Sequence, residues 1–406
     1  MLIHWIWLAT REGIHDREKK LALDVFSDAE DIYRADEKEL LRMEGITPEQ
    51  RAAFLDKDLT GAQNILNKCV DKQIQVCTFH DEEYPQRLKY IVDPPMVLYY
   101  KGRLPDMNGV PVIAAVGTRK ATAYGMQLAQ RMGYQIVGCG AVLVSGLAKG
   151  NDAMAMQGAL LAGGSVVGVL GCGVDVVYPK VNKRLFEDVL RNGCLISEFP
   201  PGTPPYRWNF PRRNRIMSGM SNGVVVIEAP EGSGTLITAR QAGEQGRDVF
   251  SVPGNVDMES FAGSLELLRD GAIAARNGWD VVGEYEALYP GRVHPMHLQP
   301  EFPDRNELAK VAEKTVLPAR NKHSDKKKEK KPIDNPEKPP YSDLQKVLPT
   351  LPEHQRQIVE LLTHERLVDE LIEETGLPAA KVSAALTLLE IKGIVRRLPG
   401  KRVVLK

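Results

Sequence analysis

The sequence predicts a doubly wound α/β fold on a mostly parallel sheet, carried between a small helical unit and a compact C-terminal unit. Three observations predict the core. Between Val110 and Gly254, short runs of Val, Ile, Leu and Ala recur, each followed by a turn and then a helical pattern. The runs are continuous rather than alternating, as in strands buried on both faces of a parallel sheet. The glycine turns all stand at the carboxyl ends of the runs, where open α/β sheets bind ligands. At about 150 residues per domain, a chain of 406 residues has room for two or three domains. Its 43% hydrophobic and 26% charged content is that of a soluble globular protein.

Residues 1–75 lack β-rich runs and read as a helical unit of the SAM or helix-hairpin-helix kind. Glu18–Phe26, Glu37–Met43, Pro48–Leu55 and Ala62–Lys72 carry apolar residues at helical spacing. Leu41 to Ile46, followed by Thr47-Pro48, resembles a helix-hairpin-helix turn, in which a glycine lets a helix N-terminus approach a phosphate. The second glycine of that turn is missing, so a structural cap is expected. The apolar opening Leu2–Ala9 ends at Thr10-Arg11-Glu12, too short to cross a bilayer, and no signal-cleavage site follows. A cytoplasmic protein with no membrane span is expected. The five cysteines (Cys69, Cys77, Cys139, Cys172, Cys194) form no C-x-x-C pair, which argues for reduced thiols and against a cysteine-held zinc.

The core is expected over 76–290. Val112–Val116 leads into Gly117-Thr118-Arg119-Lys120, and Ala141–Val144 into the turn Ser145-Gly146-Leu147-Ala148-Lys149-Gly150. Val166–Leu170 precedes Gly171-Cys172-Gly173, Leu195–Ile196 precedes Ser197-Glu198, and Val224–Ile227 precedes Glu228–Thr235, with Val249–Val252 the last run. Residues 291–351 are proline-dense, and His323 to Lys331 is a mixed charge run of the kind that stays solvated, so a flexible linker is expected. Over 352–406 a winged-helix unit is expected. Glu353–Leu362, Leu367–Thr375 and Pro378–Lys392 read as helices, with Gly376 and Gly393 as stops. Ile394–Leu398 and Arg402–Leu405 flank a hairpin turn. The third helix of such a unit commonly enters a DNA major groove. Here Ala379, Ala380, Ser383, Ala384, Ala385 and Thr387 leave Lys381 as its main cation, which argues against a base-reading transcription regulator.

Of the eight histidines only His80, at the very start of the core, lies within 76–290 and none lies between Asp81 and Val293, which excludes a Ser-His-Asp or Cys-His site and a histidine-held metal among the apolar runs and their glycine turns. His294-Pro-Met-His297 has a spacing that metals use but no carboxylate or thiol partner nearby. No catalytic residue, metal or cofactor is expected. What the core offers is three turns with backbone amides at helix starts: Gly117-Thr118-Arg119, Ser145 to Gly150, and Gly232-Ser233-Gly234-Thr235. Such amides, with the helix dipole, attract anions. Arg119 and Lys149 add full charge. From Tyr206 to Arg215, Arg207, Arg212, Arg213 and Arg215 interleave with Tyr206, Trp208 and Phe210. Guanidinium groups grip phosphates and aromatic faces stack on unpaired bases. At least two of the four arginines are expected to be free, the others pairing with Glu198 or Glu228, while Asp152 and Asp175 cap helices and turns. The balance of 53 basic and 53 acidic residues argues against a nucleic-acid partner, but it is an average over the chain. Local placement of cations at one sheet edge decides the matter.

These residues resemble the DNA-processing protein A (DprA/Smf) family. The resemblance begins at Tyr84-Pro-Gln-Arg-Leu and Asp93-Pro-Pro-Met-Val-Leu-Tyr, and runs through Val116-Gly-Thr-Arg-Lys-Ala-Thr-Ala-Tyr-Gly125 and Val144-Ser-Gly-Leu-Ala-Lys-Gly-Asn-Asp152. It continues in Val169-Leu-Gly-Cys-Gly-Val-Asp-Val-Val-Tyr-Pro179, Ile196-Ser-Glu-Phe-Pro-Pro-Gly202 and Asn209-Phe-Pro-Arg-Arg-Asn-Arg-Ile216. Ser233-Gly-Thr-Leu-Ile-Thr-Ala239 and Val252-Pro-Gly254 complete it, over about Thr78 to Ala272. The resemblance implies an extended Rossmann fold that dimerises, binds single-stranded DNA, protects incoming strands and loads a RecA-type recombinase in natural transformation and recombination. The implied DNA pocket falls on Gly117, Thr118, Arg119, Ser145, Gly146, Lys149 and Gly150, then on Asn209, Arg212, Arg213, Asn214 and Arg215, and on Ser233, Gly234 and Thr235. Two departures stand out: Asn151 replaces the usual isoleucine, and Met156 replaces a histidine. The rival is a nucleotide-binding or nucleoside-monophosphate-cleaving enzyme of the lysine-decarboxylase-like fold, similar at Pro230-Glu-Gly-Ser-Gly-Thr235. Its catalytic glutamate would fall on Thr238, which cannot stabilise an oxocarbenium-like centre as a carboxylate does.

Overall fold

The computed structural model describes residues 1–296, 351–362, 366–378, 381–382, 385–386, 389–390, 394–398 and 402–405. They belong to two compact units, divided between Pro318 and Ala319.

The first unit opens with helices α1 (Leu2–Ala9), α2 (Asp16–Val25), α3 (Ala29–Arg34), α4 (Glu37–Leu40), α5 (Pro48–Leu55) and α6 (Thr60–Asp71). The apolar opening is thus the central helix of the N-terminal part. Trp5, Ile6, Trp7 and Leu8 are all buried, and the Trp7 indole donates to Asp56 O at 3.0 Å. Helices α3, α4 and α5 each start on a local side-chain cap that the sequence supplies. Asp28 accepts from Glu30 N, Asp36 from Glu39 N, and Thr47 from Gln50 N ahead of Pro48. The apolar core here continues onto Met96, Val97, Tyr99 and Val174, so the helices pack directly on the sheet domain.

The sheet has nine strands: β1 (Gln75–Thr78), β2 (Val97–Gly102), β3 (Val112–Val116), β4 (Val142–Ser145), β5 (Val166–Val169), β6 (Gly193–Ser197), β7 (Gly223–Val226), β8 (Asp248–Ser251) and β9 (Ile273–Ala274). Their order is β1-β2-β6-β5-β4-β3-β7-β8-β9. From β6 to β9 every pairing is parallel, and β1 and β2 add an antiparallel edge. The six central strands are those expected from the apolar runs. β1, β2 and β9 are not among them. Alternate residues of one strand feed opposite cores. Val112, Ala114 and Val116 lie in the core that receives α10 (Asn209–Met220) and α11 (Gly234–Glu244). Ile113 and Ala115 lie in the core of α7 (Ala123–Gly138), α8 (Asn151–Leu161) and α9 (Lys183–Asn192). Fully burying each Val or Ile stabilises by about 1.5–3 kcal/mol, and only a strand apolar on both sides gains it twice over.

The chain leaves β3 toward β4 on one side and β7 toward β8 on the other. The reversal lies between β3 and β7, and the crevice outside their carboxyl ends is where doubly wound sheets bind ligands. Helix α10 makes the long crossover from β6 to β7, past β5, β4 and β3, and so passes this crevice.

In the second unit α12 (Glu353–Leu361) precedes β10 (Arg366–Leu367), α13 (Val368–Thr375), β11 (Val395–Leu398) and β12 (Arg402–Leu405). Leu367, expected to open a helix, instead belongs to a short strand on β12, making a three-stranded sheet in the order β10-β12-β11. Gly376 ends α13 at φ 64, a left-handed cap suited to glycine. Val382, Ala385, Leu386 and Leu389 pack on Ile358 and Leu371, as a third helix would. Ala379, Ala380, Ser383, Ala384 and Thr387 lie outside the described residues, as do His297 and residues 297–350 of the expected linker.

Candidate functional site

A cleft of about 870 Å³ opens at the switch point. Its walls are the turn after β3, the N-terminal half of α10 and the turn before α11. Gly117, Thr118, Arg119, Arg213, Asn214, Ser233, Gly234 and Thr235 all line it. A side chamber of about 60 Å³ brings Gly146 and Lys149 against Arg119, Phe210 and Arg213. Gly146 is required here, because a Cβ at that position would stand 1.9 Å from Nη1 of Arg213.

The three turns are not equivalent. All three are expected to present unpaired amides, and at the first the structure corrects this. Thr118 N donates to Glu228 O at 2.8 Å, and Gly117 N donates to the Asp152 carboxylate at 3.2 Å. Asp152 lies in the first turn of α8 and is buried. Burial pushes its carboxyl above the ordinary value, while Arg213 and the Gly117 and Ala148 amides pull it down. Glu228, fully buried, accepts Thr122 N at 3.1 Å and the Asn151 amide at 3.4 Å rather than an arginine. Each of α7 and α8 therefore meets an internal carboxylate at its N-terminus, which answers its dipole. At the third turn Ser233 Oγ takes only Thr235 N, at 3.2 Å, and the Gly232 and Gly234 amides have no partner among the described residues. That turn is left for an external anion.

Cations surround this opening. Arg119 stands over the Phe210 ring, 5.4 Å from its centroid. The exposed side chains of Lys120, Lys149 and Arg207 make no ion pair or hydrogen bond among the described residues. Tyr206 and Trp208 stack on each other at 4.7 Å while remaining 45% and 66% exposed, so Trp208 is not a core plug. Arg213 is buried, with Nη1 donating to Val169 O at 2.7 Å and Nε to Asn214 at 3.1 Å. Burial pushes its guanidinium down to about 10, so it remains a cation at neutral pH.

Several expected site residues lie elsewhere. Ser145 is fully buried and donates to Ala115 O, Asn209 holds Gly171 O, and Gly150 (φ 79) forms the start of α8. Arg215 is not in the cleft: it is buried among Glu198, Asp16 and Asp93, and Arg212 shares Glu198. Of the four arginines only Arg207 is free among the described residues, fewer than expected, because residues 212 and 215, three apart on α10, share the face that meets Glu198 and Asp16, while Arg213 turns inward to Val169 O. The sequence departures also resolve: Met156 is fully buried in the core, and Asn151 binds Glu228. Lys120 and Tyr178 were missed. Lys120 had a signal in its place beside Arg119, whereas Tyr178 reaches Phe210 (5.5 Å) from a distant loop and had none.

The acidic residues lining the cleft are Asp152, engaged as above, and Glu231. Thr238 lines it where the nucleotide-cleaving enzymes would carry glutamate. Among the described residues no group of His, Cys, Asp and Glu is placed to hold a metal, all five cysteines are free and buried, and no helix is long and apolar enough to cross a membrane.

Comparison with known proteins agrees with this architecture. The sequence profile of the family described as "DNA recombination-mediator protein A" matches residues 75–286, and that of the DprA winged helix domain matches 342–401. The chain is 35% identical over 338 residues to Protein Smf of Synechocystis sp., covering 82% of this chain and 80% of that one. It is 41% identical over 214 residues to DNA processing protein DprA of Bacillus subtilis, covering 53% and 72%. The X-ray structure of DNA processing protein A from Streptococcus pneumoniae aligns with a TM-score of 0.60 at 32% identity, covering 70% of this chain and 98% of that chain.

Proposed function

The chain belongs to the DNA recombination-mediator protein A (DprA/Smf) family, and on that premise we propose that its cleft binds single-stranded DNA without sequence preference. The observation that carries this reading is the set of cations Arg119, Lys120 and Arg207 on the cleft and Lys149 on its side chamber, with the exposed Tyr206–Trp208 stack on either side of Arg207 in the chain. Cations without internal partners suit phosphates of any sequence, and exposed aromatic faces suit bases that are not already stacked in a duplex. The free Gly232 and Gly234 amides add a phosphate seat. In the cell, such a protein protects incoming strands and delivers them to a RecA-type recombinase, acting as a homodimer in the cytoplasm. We read the cleft as a binding site rather than a catalytic one, because Thr238 supplies no carboxylate to the nest.

A titration of the full chain with single-stranded and duplex DNA of the same sequences, at two salt concentrations, tests this. Tighter single-strand binding that weakens with salt and ignores sequence is expected. Equal or tighter duplex binding overturns it. Steady release of free base from nucleoside monophosphates would overturn the non-catalytic reading.

A further inference from the structure

Arg215 sits in the run that grips the cleft, yet it faces away from it. Its Nη2 lies 2.5 Å from Glu198 and 3.1 Å from Asp16, and its Nε lies 3.0 Å from Asp93. Arg212, one turn earlier, reaches the same Glu198 oxygen at 3.3 Å. Asp16 opens helix α2 of the N-terminal part, where Lys19 holds it at 3.2 Å and Ala9 O at 2.7 Å. The side chains of Arg215, Asp16 and Glu198 are only 7%, 11% and 5% exposed. Helix α10 thus has two working faces. Phe210, Arg213, Asn214 and Met217 line the cleft, while Arg212 and Arg215 are held by the N-terminal helices through Asp16.

Apolar packing already joins the two parts, so adhesion is not what the ions add. Burying them is costly, and the cluster leaves Glu198 Oε1 and Arg215 Nη1 without hydrogen-bond partners. What an ion cluster adds over apolar packing is direction: it fixes one register between the helices it joins. We propose that Asp16 and Arg215 are positioning residues, through which the N-terminal helices set the seat of α10 and with it the placement of Phe210, Arg213 and Asn214. This rests on the single-strand reading of the cleft.

Asp16→Asn separates the possibilities by sign. The substitution removes an acid and contacts no phosphate. If Arg215 were a DNA contact held back by Asp16, the variant would bind oligothymidylate more tightly. As a positioning residue, Asp16 is expected to cost on the order of fivefold in affinity, with the salt dependence unchanged because no phosphate contact is lost. Amides of α10 are expected to exchange hydrogen faster in Asp16→Asn and not in Arg119→Ala. Asp93→Asn, at a partner 45% exposed, is the milder variant should Asp16→Asn fail to fold, with the same direction expected. Wild-type affinity together with wild-type exchange in α10 overturns the proposal, as does tighter binding. If the wild-type chain binds no oligothymidylate, the single-strand reading falls, and the exchange measurement still decides the positioning role.

Discussion

The Asp152 carboxylate accepts the backbone amide of Gly117 at 3.2 Å, tying the start of α8 to the end of β3 from beneath the cleft. The pairing fills, from inside, a turn that the sequence offers to a phosphate. Asp152→Ala leaves that amide buried and unpaired, which is expected to cost about 1–3 kcal/mol of stability. Asp152→Asn keeps an acceptor and is expected to cost less. Urea unfolding of the two variants checks the order, and equal losses would show that the carboxylate charge, not the hydrogen bond, holds the turn.

Arg119 and Trp208 should fail in different ways. Arg119→Ala removes a cation, so binding is expected to weaken for every sequence and the slope of log affinity against log salt to become shallower by about 0.7. Lys149→Ala should do the same. Trp208→Ala removes a stacking face, at an expected cost of about 1–3 kcal/mol with the salt slope unchanged. Salt titrations of the three variants distinguish the roles, and a shallower slope for Trp208→Ala would overturn the stacking assignment.

The central strands and glycine turns are legible in the sequence because burial on both faces forces unbroken apolar runs such as Val112–Val116. The edge strands are not, since β1 and β9 are stabilised by pairing with a neighbour rather than by their own pattern. In the site, Arg119 and Gly234 could be located because they stand in the turns that the fold exposes. The fate of Arg215 could not, because its acids come from positions 16, 93 and 198, brought together only by folding. The same holds for Asp152 and Gly117: a turn's free amides are visible in sequence, and the side chain that fills them from the first turn of α8 is not.

Gly234 separates fold from function. It opens α11, is exposed, and a Cβ there meets nothing within 4 Å. Gly234→Ala therefore costs no packing, and alanine's better helix propensity is expected to hold or raise the melting temperature by an effect of up to about 1 kcal/mol. The methyl would nonetheless stand where a phosphate must approach the turn's amides. Affinity for single strands is expected to fall while stability does not. A thermal melt paired with a binding titration reads both, and unchanged affinity would remove this turn from the site.

The buried cluster at Glu198 makes a prediction about pH. Burial pushes the Glu198 carboxyl above its ordinary value of 4.5; Arg215 and Arg212 oppose the rise, and Asp16 and Asp93 add to it. Lys19 and Tyr84 also face this charge. A raised folded value means that the native state takes up the proton before the unfolded chain does. The stability from this titration is fully present below 4.5 and is lost as pH rises through the higher folded value. Glu198→Gln cannot titrate. Lowering the pH from neutral toward 4.5 is therefore expected to stabilise the wild type relative to Glu198→Gln, in denaturant unfolding at the two ends of that range. The opposite trend would mean that the arginines outweigh burial and hold the carboxylate ionised, so that the cluster behaves as an acid-labile ion pair.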